Sequence, residues 1–119
     1  MRRKEGALVP LEVAILEASA ELRRAGHLEA HGYLLAKLVH DIRHAKRLTA
    51  YGTLYKALTR LESQGFLESR WEDPLAAAAE ARPRRRFYRL TLEGEGALSE
   101  ALEVGRDTLT NRPAAATLP

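Results

Sequence analysis

The chain has 119 residues, 29% of them charged, a net charge of +3 and no cysteine. That length argues for one domain, and the missing cysteines exclude a disulfide framework, a thiolate metal site and a thiol nucleophile. No stretch approaches the roughly 20 apolar residues of a membrane span, and the opening MRRKEGALVPLE has no apolar run of signal-peptide length, so the cytoplasm is the expected location.

Charge is unevenly placed. Residues 1–91 hold 17 Lys and Arg against 11 Asp and Glu, whereas residues 92–119 hold 2 against 5. Within the basic part, residues 37–60 carry six basic residues and one acid, and residues 82–89 carry five arginines and no acid. Two basic clusters, each beside a predicted structural element, suggest a face that binds a polyanion.

In chain order, Leu8, Leu11, Ile15, Ala18 and Leu22 recur at three- and four-residue steps and predict an amphipathic helix over 8–25. Pro10 fits its first turn and Gly26 its end. Residues 27–32 read as a connection. A second helix follows from Gly32 to about His44, with Leu34, Leu35, Leu38, Val39 and Ile42 on its apolar side. The link 45–49 leads to a third helix, in which Thr49 is placed as N-cap, Leu54, Ala57, Leu58 and Leu61 form the buried stripe, and Gly65 is the stop.

The period then changes to two. Strands are predicted over 67–71 and 84–91, the second with Arg86, Tyr88 and Leu90 on one face. Between them lies a long hairpin loop, 73–83, whose alanine run can form a turn of helix. Thr91 caps a last helix, where Leu98, Leu102, Gly105 and Leu109 step like a heptad seam. The fold class expected is mostly α with a small β-hairpin (α+β), a winged helix-turn-helix with a C-terminal dimerisation helix. The division expected is 1–91 for the DNA-binding domain, 92–111 for the dimerisation helix and 112–119 for a disordered tail.

The sequence at this point resembles the PadR family of bacterial transcriptional regulators. The resemblance is carried by His31-Gly32-Tyr33, Tyr51-Gly52-Thr53-Leu54-Tyr55, Leu58 and Leu61-Glu62 before Gly65-Phe66-Leu67-Glu68, Arg82-Pro83-Arg84, Phe87-Tyr88-Arg89-Leu90-Thr91 and Gly94, over roughly residues 8–102. It departs in a longer connection between the first two helices and a long, alanine-rich wing loop. The resemblance implies a homodimeric repressor of a pseudo-palindromic operator, responsive to a small aromatic or phenolic effector. Residues 92–119 offer no aromatic platform for such a ligand.

The outward residues of the third helix then acquire a reading. Gly52 and Thr53 near its start allow close approach to a major groove, and a helix N-terminus favours phosphate. Tyr51, Tyr55 and Thr59 supply hydroxyls, while Lys56 and Arg60 reach phosphates or guanine edges. The competing reading makes the tyrosines partly core and the cations merely solvated. On the wing, Arg82, Arg84 and Arg85 are expected to clamp phosphates or enter a minor groove, with edge-strand protection as the alternative. Arg86 is expected either on the wing or paired inward with Glu68 or Glu72, and Arg2, Arg3 and Lys4 are a further flexible contact or a plain basic terminus. Leu98, Leu102 and Leu109, with Leu11 and Ile15, are the expected dimer contacts.

Other chemistries find little support. His27 and His31, like His40 and His44, are four apart, a spacing at which a helix can share a metal. Gly32 interrupts the first pair, and no carboxylate or thiol completes either, so no metal and no cofactor are expected; His31 reads better as a helix cap. There is no Gly-rich phosphate loop and no nucleophile–base pair, so the chain is not expected to be an enzyme. Two rivals remain open: a winged-helix protein-interaction module, and an architectural protein that binds DNA without sequence preference.

Overall fold

Helix α1 (Pro10–Arg24) begins where the backbone can accept it. Pro10 forgoes no hydrogen bond at the first position, and Glu12, two residues on, turns Oε1 back to accept the Val9 N–H at 3.0 Å. The helix closes at Gly26, whose φ of +94° suits a residue without Cβ. The computed structural model describes residues 7–43 and 50–110, the side chains of 105–110 excepted. Arg2, Arg3, Lys4, His44, the link with Thr49, and the tail 112–119 lie outside the described residues.

The remaining elements follow as β1 (Ala30–His31), α2 (Gly32–Arg43), α3 (Tyr51–Ser63), β2 (Leu67–Trp71), α4 (Pro74–Ala79), β3 (Arg86–Leu90) and α5 (Leu92–Thr110). All three strands join one antiparallel sheet in the order β1-β3-β2. Ser69 and Ala30 both face Tyr88, from opposite sides of β3. The sequence predicts no strand in the connection at 27–32. Two residues are too short for a period of two to register, and β1 exists because the connection runs along the free edge of β3. The predicted turn of helix in the wing loop is α4, opened by Asp73, whose Oδ1 accepts the Leu75 N–H at 2.9 Å.

The apolar faces of α1, α2 and α3 meet over the sheet. Ile15, Leu16, Leu35, Val39, Leu54, Leu58 and Leu61 are fully buried there, with Leu67 and Leu90 below them. The predicted stripe of Leu54, Ala57, Leu58 and Leu61 is wholly buried, and burial of each large aliphatic side chain contributes roughly 1.5–3 kcal/mol.

The junction into α5 is closely fitted. Thr91 Oγ1 donates to the Gly65 carbonyl at 2.6 Å and accepts the Gly94 N–H at 2.9 Å, so it caps the helix as expected. A Cβ on Gly94 would stand 2.1 Å from the Phe66 carbonyl oxygen, so only glycine lets α5 cross the α3–β2 turn this closely. The first half of α5 then packs on α1, placing Leu98 in the hydrophobic core.

Two expected dimer contacts are corrected by this packing. Ile15 is 0% exposed and Leu98 8% exposed within a single chain, so both hold the core and offer no surface to a second copy. The four-three-four step that suggests an intermolecular seam is also the step of a helix seated on its own domain. Leu11 is half-buried against the core and Leu102 is 41% exposed, while Leu109 lies in α5 with its side chain outside the described residues.

Candidate nucleic-acid interface

The outward face of α3 is open. Tyr51, Gly52, Thr53, Lys56 and Thr59 are exposed, and Tyr55 is half-buried. The first turn contains no acid, and at the far end Glu62 is turned to the sheet, where Oε2 accepts the Ser69 hydroxyl at 2.6 Å and lies 3.7 Å from Arg86. The face is left positive and rich in hydroxyls.

The two tyrosines of this face act as a pair. Their rings meet edge to face with centroids 4.5 Å apart, and Tyr51 Oη donates to Tyr55 Oη at 2.9 Å. That bond, ahead of slight burial, holds the Tyr51 phenol above its ordinary pKa. It also leaves the Tyr55 hydroxyl proton to donate outward. Beneath them Tyr88 is buried in the sheet, and burial, with Tyr55 nearby, pushes its phenol up to about 12.

The wing is organised differently. Glu72 sits at its base with three kinds of bond. Its carboxylate accepts both ends of the Arg82 guanidinium, at 2.6 and 2.8 Å, and the Arg85 N–H at 3.2 Å. Its own N–H donates to the Arg85 carbonyl at 2.8 Å, and its carbonyl accepts Arg84 Nε at 2.9 Å. The Arg82 fork, with the Arg85 amide, holds the Glu72 carboxyl down at about 2. Trp71, 52% exposed, offers its ring to two guanidiniums, Arg84 at 5.6 Å and Arg86 at 5.0 Å. Outside the loop, Arg89 pairs with Glu68 and Arg70 with Glu29.

Two of the residues expected on DNA are revised by these contacts. Arg82 pairs with Glu72 and with Glu80 at 3.3 Å, and its side chain is only 19% exposed; its charge closes the loop. Arg60 lies 3.0 Å from Glu12, a carboxylate 2% exposed on α1, and so joins α3 to α1. Arg84 and Arg85 remain the wing cations without a carboxylate ion pair among the described residues. Arg86 does pair inward, with Glu62 rather than Glu68 or Glu72.

Sequence reasoning misses Glu12 and Glu72 as organisers. Glu12 carries a helix-start signal, but its partner is far away in the chain. Glu72 stands beside a predicted strand end with nothing local to mark which arginine it takes. His31 does cap α2, its Nδ1 accepting the Leu34 N–H at 3.4 Å. Burial, then the charges of Arg85 and Arg82, lowers its pKa and favours the neutral ring. Among the described residues no three His, Cys, Asp or Glu side chains cluster as a metal site would require, and no helix is long and apolar enough to cross a membrane.

An exposed basic helix, set in a three-helix domain and followed by an arginine-bearing hairpin, is the arrangement of a winged helix. The family model of PadR-like transcriptional regulators matches residues 22–100. The chain belongs to this PadR-like family. Family membership makes it a DNA-binding transcriptional regulator and places it in a class of regulators rather than enzymes. Solved structures share the fold. A transcriptional regulator from Clostridium thermocellum is 24% identical with a TM-score of 0.65 over 84% of each chain. A PadR family regulator from Clostridium difficile is 24% identical with a TM-score of 0.65, over 86% of this chain and 93% of that one. PadR of Bacillus subtilis, solved in complex with operator DNA, is 23% identical with a TM-score of 0.57, over 77% of this chain and 46% of the other. No curated protein matched the chain.

Proposed function

We propose that this PadR-like protein is a cytoplasmic repressor that binds a pseudo-palindromic operator as a homodimer. The observation that carries the reading is the α3 face, where Lys56 stands among Gly52, Thr53, Tyr55 and Thr59 with no acid beside it. Gly52 has nothing within 4 Å of where a Cβ would be, so the face is open to close approach. In this reading α3 enters the major groove, its hydroxyls and Lys56 meeting phosphates and base edges. Arg84 and Arg85 hold the flanking backbone or minor groove. The second half of α5, with Leu102 and Val104 exposed, joins the protomers together with Leu11 and Leu109, and the two-fold axis repeats the half-site.

A small effector would relieve repression. A groove of about 320 Å³ between α1, α2 and α5, floored by Leu38, Ile42 and Leu98, has the size for one. Its rim carries Glu17, Glu21 and Asp41 against one cation, Arg24, which is paired with Glu21, and this balance favours an uncharged aromatic or phenolic compound over an anionic one.

The testing experiment is binding to the DNA upstream of its own gene against scrambled DNA of equal length, over a salt series. A preference of about a thousandfold or more is expected. Equal, salt-sensitive binding to both would instead mark an architectural protein, and no binding at low salt would mark a protein-interaction module. Sedimentation checks the dimer: Leu102→Glu should give monomers that remain folded, and an intact dimer would remove α5 from the interface.

A further inference from the structure

We infer that Glu12 and Arg60 form a strut that sets the rotation of the reading helix, so that Arg60 is a positioning residue for DNA recognition and not a contact to the DNA. The inference rests on the proposed role of α3. Arg60 lies four residues beyond Lys56, one helical turn along α3, so any roll of α3 that moves Arg60 moves Lys56 and the residues beside it as well. The Arg60 side chain is 36% exposed, but its Nε is buried and directed inward, 3.0 Å from Glu12 Oε2. The contact falls outside hydrogen-bond geometry, so it is an ionic one.

The other end of the strut is firmly seated. Glu12 is 2% exposed, and its Oε1 closes the first turn of α1 through the Val9 N–H. A carboxylate anchored in this way cannot follow Arg60 outward without opening the start of α1. The apolar stripe that also joins α3 to the core can slide over aliphatic neighbours, because hydrophobic contact has little directional preference. A contact between two opposite charges, one of them anchored in α1, limits how far α3 can roll, which the stripe does not.

The strut and a direct phosphate contact predict opposite results. If Arg60 touched DNA, Arg60→Ala would lower the salt slope by about 1 per half-site, and Glu12→Gln, by freeing the guanidinium, would leave binding equal or tighter. The strut predicts that Glu12→Gln and Arg60→Lys each weaken binding to the DNA upstream of the gene about tenfold, the effect of removing one base-specific hydrogen-bonded pair. Binding to scrambled DNA and the salt slope should stay unchanged for both. Arg60→Lys keeps the charge and the fold while removing the fixed guanidinium geometry, so it serves if Glu12→Gln fails to fold. Amide hydrogen exchange of the DNA-free protein reads the strut independently of any operator: exchange in the last turn of α3 should rise in both variants, with the β3 amides unchanged. A lowered salt slope, tighter binding by Glu12→Gln, or unchanged α3 exchange would each overturn the strut. Lack of operator preference in the unmodified protein would instead overturn the proposed function and leave the exchange result standing.

Discussion

The third helix, which ends the first basic cluster of the chain, and the wing, which carries the second, differ in how their charge is paired. On α3, Lys56 is exposed beside Thr53 and Thr59, and the nearest acid on the helix, Glu62, is turned to the sheet. On the wing, Arg82 is held by Glu72 and Glu80, Arg86 by Glu62, and Arg89 by Glu68. The five arginines of 82–89 look like the stronger anion site, but three of them are balanced by acids from elsewhere in the fold. A cluster without local acids is not an unpaired cluster once strands bring distant residues together. Among the described residues, Arg84 and Arg85 are the wing cations left without a carboxylate pair, and on α3, where Arg60 pairs with Glu12, the cation left is Lys56.

The largest effect should come from reversing that charge. Lys56→Glu places an acid on the open face of α3 and should lower DNA affinity about a hundredfold or more at 0.1 M salt, with no loss of thermal stability. Fluorescence anisotropy with labelled DNA measures the first and calorimetry the second. An affinity within a few-fold of the parent would mean that α3 is not the principal contact, and the comparison would invert.

Next in size are the wing cations. Arg84→Ala and Arg85→Ala should weaken binding to all sequences alike, and each should lower the salt slope by about 1 if its guanidinium neutralises one phosphate. Arg82→Ala should leave the slope where it was and instead loosen the loop, seen as faster proteolysis at α4. If Arg82 lowered the slope as Arg84 does, its pair with Glu72 would have to open on DNA, and the wing would be less pre-formed than its hydrogen bonds indicate.

How far these differences can be read from sequence depends on the range of the interaction. The three helices, both hairpin strands and the Thr91 cap follow from periods and end signals that act over a few residues, and each stands in the structure. The exposed residues of α3 are legible for the same reason, since a helix fixes which side chains share a face. Glu12 with Arg60, Glu72 with Arg82, and β1 on the edge of β3 are contacts set by tertiary packing, and no local pattern marks them. Ile15 and Leu98 are misassigned from sequence because apolar residues at helical spacing look the same whether the surface they meet belongs to the same chain or to another. Burial decides between the two.

The smallest expected effect separates the two regions by pH. Glu72 is held at about 2 by the Arg82 fork, well below an ordinary glutamate at about 4.3. A carboxylate lowered on folding adds stability that is fully present above the ordinary value and disappears as pH falls through the folded one. The wing clip should therefore weaken between about pH 4.3 and pH 2, as the carboxyl gains a proton and Arg82 and the Arg85 amide lose their acceptor. Trp71 adjoins Glu72 and is the only tryptophan in the chain, so its fluorescence reports the wing alone. Its emission should titrate in that window before the helices unfold by circular dichroism, and in Glu72→Gln the separate step should vanish. The outward face of α3 carries no carboxyl, Glu62 being turned to the sheet. If tryptophan and helix signals moved together in both proteins, the clip would be part of the general core and not a separately closed element.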